Sequence, residues 1–233
     1  MGAVALLLLV RHGHSTANAD AVLAGWTEGV GLTERGRGDV GRLAERLADV
    51  EVARLVTSPL QRCRETAGLL LPGRTAEVVE DLGECRYGAW TGRPIAELTK
   101  DPLWRTVQDD PASARFPDSD RYAAESLSEM AERTVAAIRR IDDEVTAERG
   151  PDAVWVAVSH GDPIKAVLAD AVGAGLAGLQ RVHVDPASVS VIRRTGSRPM
   201  VLATNSSGEA IGSGLARPAT VPPGDATVGG GTG

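Results

Sequence analysis

Two histidines, two arginines and one glutamate carry the reactive groups of this chain. His12 follows Arg11 at the end of the apolar run 6–10, and Gly13 comes next. His160 closes a second apolar run, 153–158, after Ser159. Arg62 lies just past a shorter run, 53–57, and Glu84 sits in a glycine-punctuated loop, 81–92. An imidazole exchanges protons near neutral pH and is a nucleophile when neutral. A guanidinium presents a planar fork to anionic oxygens. A carboxyl group in a sheltered loop can carry a proton to or from a reacting oxygen.

Such groups work together only if the chain brings them together. The run 6–10 is consistent with a buried parallel strand. Runs 53–57, 76–80 and 153–158 read as further strands. Between them the spacing is helical. Val40, Leu43, Ala44 and Leu47 follow the plausible N-cap Thr33, and Gly36, Gly38 and Gly41 weaken that helix. Ser58-Pro59-Leu60-Gln61 reads as a helix start, with Ser58 as cap and Arg62 in the first turn. Ser126 and Glu129 form a capping box before a long helix that ends near Gly150. Pro163 opens another helix and Gly173 closes it. Segments 188–194 and 200–204 read as a hairpin. Residues 101–125 look like a lid or a surface excursion.

Strands alternating with helices predict an α/β fold, with a mostly parallel central sheet and helices on both faces. His12, Arg62, Glu84 and His160 then follow the carboxyl ends of four strands. Parallel strands bring such ends to one edge, where ligands bind in open α/β sheets. One domain is expected over 1–204. Residues 205–233 are rich in Gly, Pro, Ser and Thr and are expected to be a disordered tail.

Composition removes several classes. The 233 residues carry a net charge of −6, so no electrostatic footprint for nucleic acid is present. The start lacks a basic region and a cleavage site, and its apolar run is too short to span a bilayer. Cys63 and Cys85 form neither a metal spacing nor a disulfide framework, which suits reduced thiols in the cytoplasm. His12 and His14 make a His-x-His pair, but without the further ligands that zinc requires. No metal or cofactor is expected, and oligomeric state is not legible.

LLLLVRHGHSTAN at 6–18 resembles the signature of the histidine phosphatase superfamily, the phosphoglycerate-mutase-like enzymes of branch 1. SPLQRCRETA at 58–67, GECRYGAWTG at 83–92, ESL at 125–127 and SHGDPIKAVL at 159–168 follow in the family's order. The likeness spans about residues 4–204. It implies a three-layer phosphoglycerate-mutase-like sandwich. It also implies that His12 becomes phosphohistidine while Arg11, Arg62 and His160 form the phosphate pocket. Glu84 matches the family's proton donor. Asn18 and Thr27 match positions that contact phosphate or substrate, and Gly161 matches the glycine after the second histidine.

Phosphoryl transfer spreads negative charge over oxygens that must be positioned and neutralised. Arg11 and Arg62 suit that task. A bound dianion would raise the pKa of His160, making it a further cationic donor, whereas the positive neighbours of His12 would keep that imidazole neutral. The two histidines are thus expected to separate in pKa. Glu84 as proton carrier asks for a pKa of roughly 6–7. Cys85 stands where bisphosphoglycerate-using mutases usually carry arginine, and Asp162 where a neutral residue is usual. Hydrolysis of a small phosphomonoester is therefore the first expectation, phosphomutase the second, and a non-catalytic binding module the third. Specificity is expected in 86–125. Arg86 and Tyr87 lead the candidates there for binding a second acidic group, with Arg93, Arg105, Arg115 and Arg121 behind them.

Overall fold

The computed structural model describes residues 3–195, 198–208 and 229. Six strands form one sheet: β1 (Ala3–Arg11), β2 (Val52–Thr57), β3 (Glu77–Val78), β4 (Val154–Ser159), β5 (Val189–Thr195) and β6 (Arg198–Ser206). Their order is β3-β2-β4-β1-β5-β6. The first four run parallel, and β5 and β6 add an antiparallel edge.

Among the described residues, seven α-helices accompany the sheet: α1 (Thr16–Ala19), α2 (Glu34–Arg46), α3 (Gln61–Leu70), α4 (Ile95–Leu98), α5 (Pro102–Asp109), α6 (Leu127–Arg149) and α7 (Gly161–Ala171). Side chains alternate along a strand, so β1 divides its leucines between two cores. Leu7 and Leu9 join Ile138 and Ile141 of α6 and Ile164 and Leu168 of α7. Leu8 and Val10 join Val40 and Leu43 of α2 and Ala67 and Leu70 of α3. Burial on both faces explains why β1 reads as an unbroken apolar run. It is a three-layer α/β sandwich, as expected from the alternation of elements.

Register positions the reactive groups. Arg11 pairs with Ser159, and Val158 pairs with both Val10 and Thr57. The central strands therefore end level. His12 N donates to the Ser159 carbonyl at 3.0 Å, and Ser58 N to the Val158 carbonyl at 2.9 Å. His12, Ser58 and His160 leave neighbouring strands side by side.

Several expectations need correction. Strand three is only two exposed residues, because it lies on the sheet edge and has one neighbour. Ser58 does not cap α3; the N-cap is Leu60, with no side-chain cap bond. The Ser58 hydroxyl faces His160 instead. Residues 101–125 are no loose excursion. Trp104 and Val107 of α5, with Ala114 and Phe116, are buried against Tyr87, Trp90, Leu98 and Met130 in a third apolar cluster. Trp90 and Phe116 meet edge to face at 5.3 Å. Finally, β6 runs to Ser206, two residues past the expected domain end, because it completes the hairpin with β5. The turn expected at 196–197 lies outside the described residues, as does most of the segment read as a tail. Among the described residues, no helix is long and apolar enough to cross a membrane.

Candidate active site

His12 is buried where β1 ends. Its Nδ1 lies 2.8 Å from the Gly13 carbonyl oxygen. A carbonyl only accepts, so Nδ1 carries the proton and the lone pair of the neutral ring sits on Nε2. Arg62 Nε donates to that Nε2 at 3.3 Å. Arg62 stands in the first turn of α3, as its spacing predicted. Its Nη2 donates to the Gly25 carbonyl at 2.9 Å, which fixes the fork over the imidazole.

His160 enters from β4. The two imidazole rings are 5.2 Å apart between centroids, at 62°. Its Nε2 is 2.7 Å from Ser58 Oγ and 3.4 Å from Cys63 Sγ. Gly161 opens α7 immediately after it. Arg11 is fully buried and donates through Nη1 to the Val184 carbonyl at 2.7 Å. A second contact runs from its Nη2 to the Gly229 carbonyl at 3.2 Å.

Burial is the main force on every charge here. It lowers His12 well below the ordinary histidine range, and the Arg62 and Arg11 charges push the same way. His160 is lowered too, by burial, then Arg62, then His12. The expected separation of the two histidines is thus not set by protein groups alone. It requires the charge of a substrate dianion near His160. Arg11 itself falls to about 10 through burial. Burial raises the Cys63 thiol to about 12, so it is a weak donor and not a thiolate.

Glu84 lies 3% exposed at the same edge. Burial, then the Asp162 carboxylate, raises it to about 7, while Arg62 pulls it back. That value falls in the range a proton carrier needs near neutral pH. Its Oε1 accepts from the Cys85 amide at 2.9 Å. Tyr87 lines the cleft beside it and donates its hydroxyl to Asp162 Oδ2 at 2.7 Å. Asp162 in turn pairs with Lys165 at 3.3 Å, both buried.

Other candidates divide. Asn18 lines the cleft and closes a capping box with Ser15. Thr27 lies beside Gly92, outside the residues that line the cleft. Arg86 is engaged elsewhere: it pairs with Glu80 at 3.2 Å, and its guanidinium covers the Trp26 ring at 4.9 Å. Arg93 pairs with Glu97, Arg115 with Glu129, and Arg121 lies over Tyr122. Arg105 sits on α5 and is not among the cleft-lining residues. His14 Nδ1 is 3.0 Å from Thr33 Oγ1, so this ring ties the loop to the α2 cap. Among the described residues, no group of three His, Cys, Asp or Glu side chains could hold a metal ion.

The sequence reading missed what holds Glu84. Arg133 of α6 donates to the carbonyls of Asp81, Gly83 and Glu84 at 2.7, 3.0 and 3.0 Å. Glu125 holds that arginine at 2.7 Å and accepts from the Arg86 amide at 2.8 Å. Glu125 was visible in the ESL segment at 125–127. Arg133 looked like an ordinary polar position on a helix.

The family model described as histidine phosphatase superfamily (branch 1) matches residues 7–207. A protein of Mycobacterium tuberculosis described as bifunctional is 34% identical over 188 residues, covering 79% of this chain and 49% of that one. The chain thus spans about half the length of the mycobacterial relatives it matches. A 2,3-bisphosphoglycerate-dependent phosphoglycerate mutase of Gloeobacter violaceus is 31% identical over 170 residues, covering 71% of this chain and 74% of that one. Among solved structures, YhfR of Bacillus stearothermophilus superposes with a TM-score of 0.75 at 28% identity, over 87% of this chain and 97% of that one. With the match running from β1 through β6 and including both histidines, the chain belongs to the histidine phosphatase superfamily, branch 1.

Proposed function

We propose that this chain is a phosphatase that hydrolyses a small phosphomonoester through a phosphohistidine on His12. One observation carries the reading: Nδ1 of His12 is committed to the Gly13 carbonyl, and the lone pair on Nε2 is left beside Arg62. The phosphate dianion binds among Arg11, Arg62 and His160. Nε2 attacks phosphorus, the phosphorus–oxygen ester bond breaks, and the electron pair leaves with the alkoxide. Glu84 gives that oxygen its proton. Glu84, now a carboxylate, takes a proton from water as the water oxygen attacks phosphorus. The phosphorus–nitrogen bond breaks, its electron pair returns to Nε2, and inorganic phosphate leaves.

The guanidiniums act where charge is placed in a dry site, which is where such interactions are strongest. Asn18 and Tyr87, which line the cleft, and Gly161, at the start of α7, complete the proposed substrate site.

Rapid-quench measurement with a ³²P-labelled phosphomonoester tests the reading. Label is expected on His12, labile in acid and stable in base, and absent from His12→Ala. Normal turnover by a folded His12→Ala variant would sink it. The sequence likeness to the Gloeobacter mutase favours a second reading, phosphomutase, in which an alcohol on the substrate replaces water. Scoring free phosphate against isomerised product separates the two.

A further inference from the structure

The inner cleft has a one-sided character. Beside His12, Arg62 and Glu84 its wall is made of Ala17, Val22, Leu23, Ala24 and Ile95. Leu23 and Ile95 are 3% and 4% exposed and belong to the same apolar cluster as Trp90 and Phe116, so the wall is rigid core and not a flexible rim. Serine and asparagine, Ser15 and Asn18, are the polar side chains there besides the reacting groups and Tyr87. Gly229 adds a backbone amide and carbonyl but no charge.

A substrate with a second anionic group needs a second cation. Among the described residues lining the cleft, Arg62 is the one basic side chain apart from His12, and it serves the phosphate. Two arginines of the loop that follows Glu84 have other contacts. Arg86 is held by Glu80 and Trp26, and Arg93 by Glu97. A carboxylate on the leaving alcohol would lose its water against an apolar wall and find, among the described residues that line it, no basic side chain beyond Arg62 and His12. Burying an unpaired ion costs far more than an apolar wall returns.

We infer that the substrate is a phosphomonoester of a neutral, largely apolar alcohol, not of a hydroxy acid. This rests on the phosphatase reading above and narrows it. Leu23 is the residue that sets the preference, because its side chain lines the cleft from the apolar cluster that also holds Tyr87.

The test compares phenyl phosphate with 4-(carboxymethyl)phenyl phosphate, whose phenols ionise alike, so that leaving-group strength is matched. The intact chain should favour phenyl phosphate by at least about tenfold in kcat/KM, the scale of one well-placed contact. Leu23→Arg should shrink that ratio by supplying the missing cation. Equal or reversed kcat/KM for the acidic ester in the intact chain would overturn the inference, even if His12 still takes the label. Hydrolysis that persists in His12→Ala would instead overturn the phosphohistidine reading. Failure to hydrolyse either ester would overturn both. An unchanged ratio in a folded Leu23→Arg variant would remove Leu23 as its determinant.

Discussion

Nε of Arg62 lies 3.3 Å from Nε2 of His12, although 50 positions separate the two residues. This contact works in two ways. It aims a charge at the phosphate, and it holds the imidazole neutral by lowering its pKa, second only to burial. Arg62→Ala should cut kcat/KM by about 10²–10³-fold, the usual cost of losing one charge-stabilising donor. It should also shift the acid limb of the pH profile. Without the guanidinium the His12 pKa rises, so the protonated, inactive fraction appears at higher pH. Arg62→Lys keeps the charge, so it should lose rate with a smaller shift of that limb. Profiles of kcat/KM between pH 4 and 8 distinguish the two effects.

Asp162 bears on the other limb. Glu84 must be protonated to serve the leaving oxygen, and it is raised to about 7 with Asp162 as the second cause after burial. Asp162→Asn removes that repulsion, so the Glu84 pKa falls and the proton is lost at lower pH. The basic limb of kcat should move down, and the rate above neutral pH should drop severalfold. The substitution also removes the carboxylate that pairs with the buried Lys165. The double variant Asp162→Asn, Lys165→Met therefore controls for simple destabilisation. A basic limb fixed in both variants would show that burial alone sets Glu84.

Arg133 is expected to matter although it touches no reacting atom. It fixes the backbone of 81–84 from α6 and pairs with Glu125, 14% and 8% exposed in their side chains. Arg133→Met takes the charged donor from the buried Glu125 carboxylate and a donor from three carbonyls, of which Asp81 keeps Thr134 and Glu84 keeps Trp26. The loss should be about 3 kcal/mol in urea unfolding. At temperatures where the variant is folded, kcat should fall while KM stays near that of the parent, because Glu84 is displaced and the phosphate pocket is not. Arg133→Met with Glu125→Leu should recover much of the stability but not kcat.

The legible part of the fold and site was local or periodic. The run 6–10 announces β1, and the Ser126 and Glu129 capping box announces α6, because these signals lie within a few residues. Four groups placed after four strands also converge as expected, since parallel register needs no long-range detail. Ser58 shows where such reading stops. Its hydroxyl was read as the helix cap, but it accepts only from the Leu60 amide, before α3 begins, and its shorter contact is with His160, 102 positions away. Gly36 shows the same limit. It looked like a weak point of α2, but a Cβ there would stand 2.1 Å from the His14 carbonyl oxygen. The glycine is required because α2 approaches the His12 loop closely, and only the folded chain reveals that neighbour. The pairing of Arg86 with Glu80 is another three-dimensional fact that composition could not carry.

Gly229 gives the last expectation. Its carbonyl accepts from Arg11 Nη2 at 3.2 Å, and its amide donates to Asp162 Oδ2 at 3.1 Å. A phosphate oxygen is the acceptor that Nη2 should hold in the proposed reaction, so Gly229 and substrate compete for one donor. Competition of this kind lowers apparent affinity by the fraction of chains in the occupied form, without altering the chemical step. Ending the chain at Gly208 keeps all of residues 7–207, the family match. The shortened protein should show a KM lower by a few fold, an unchanged kcat, and tighter inhibition by inorganic phosphate or vanadate. Adding back a synthetic peptide of residues 209–233 should raise KM again. If KM and phosphate inhibition are the same with and without those residues, the Gly229 contact does not compete with substrate.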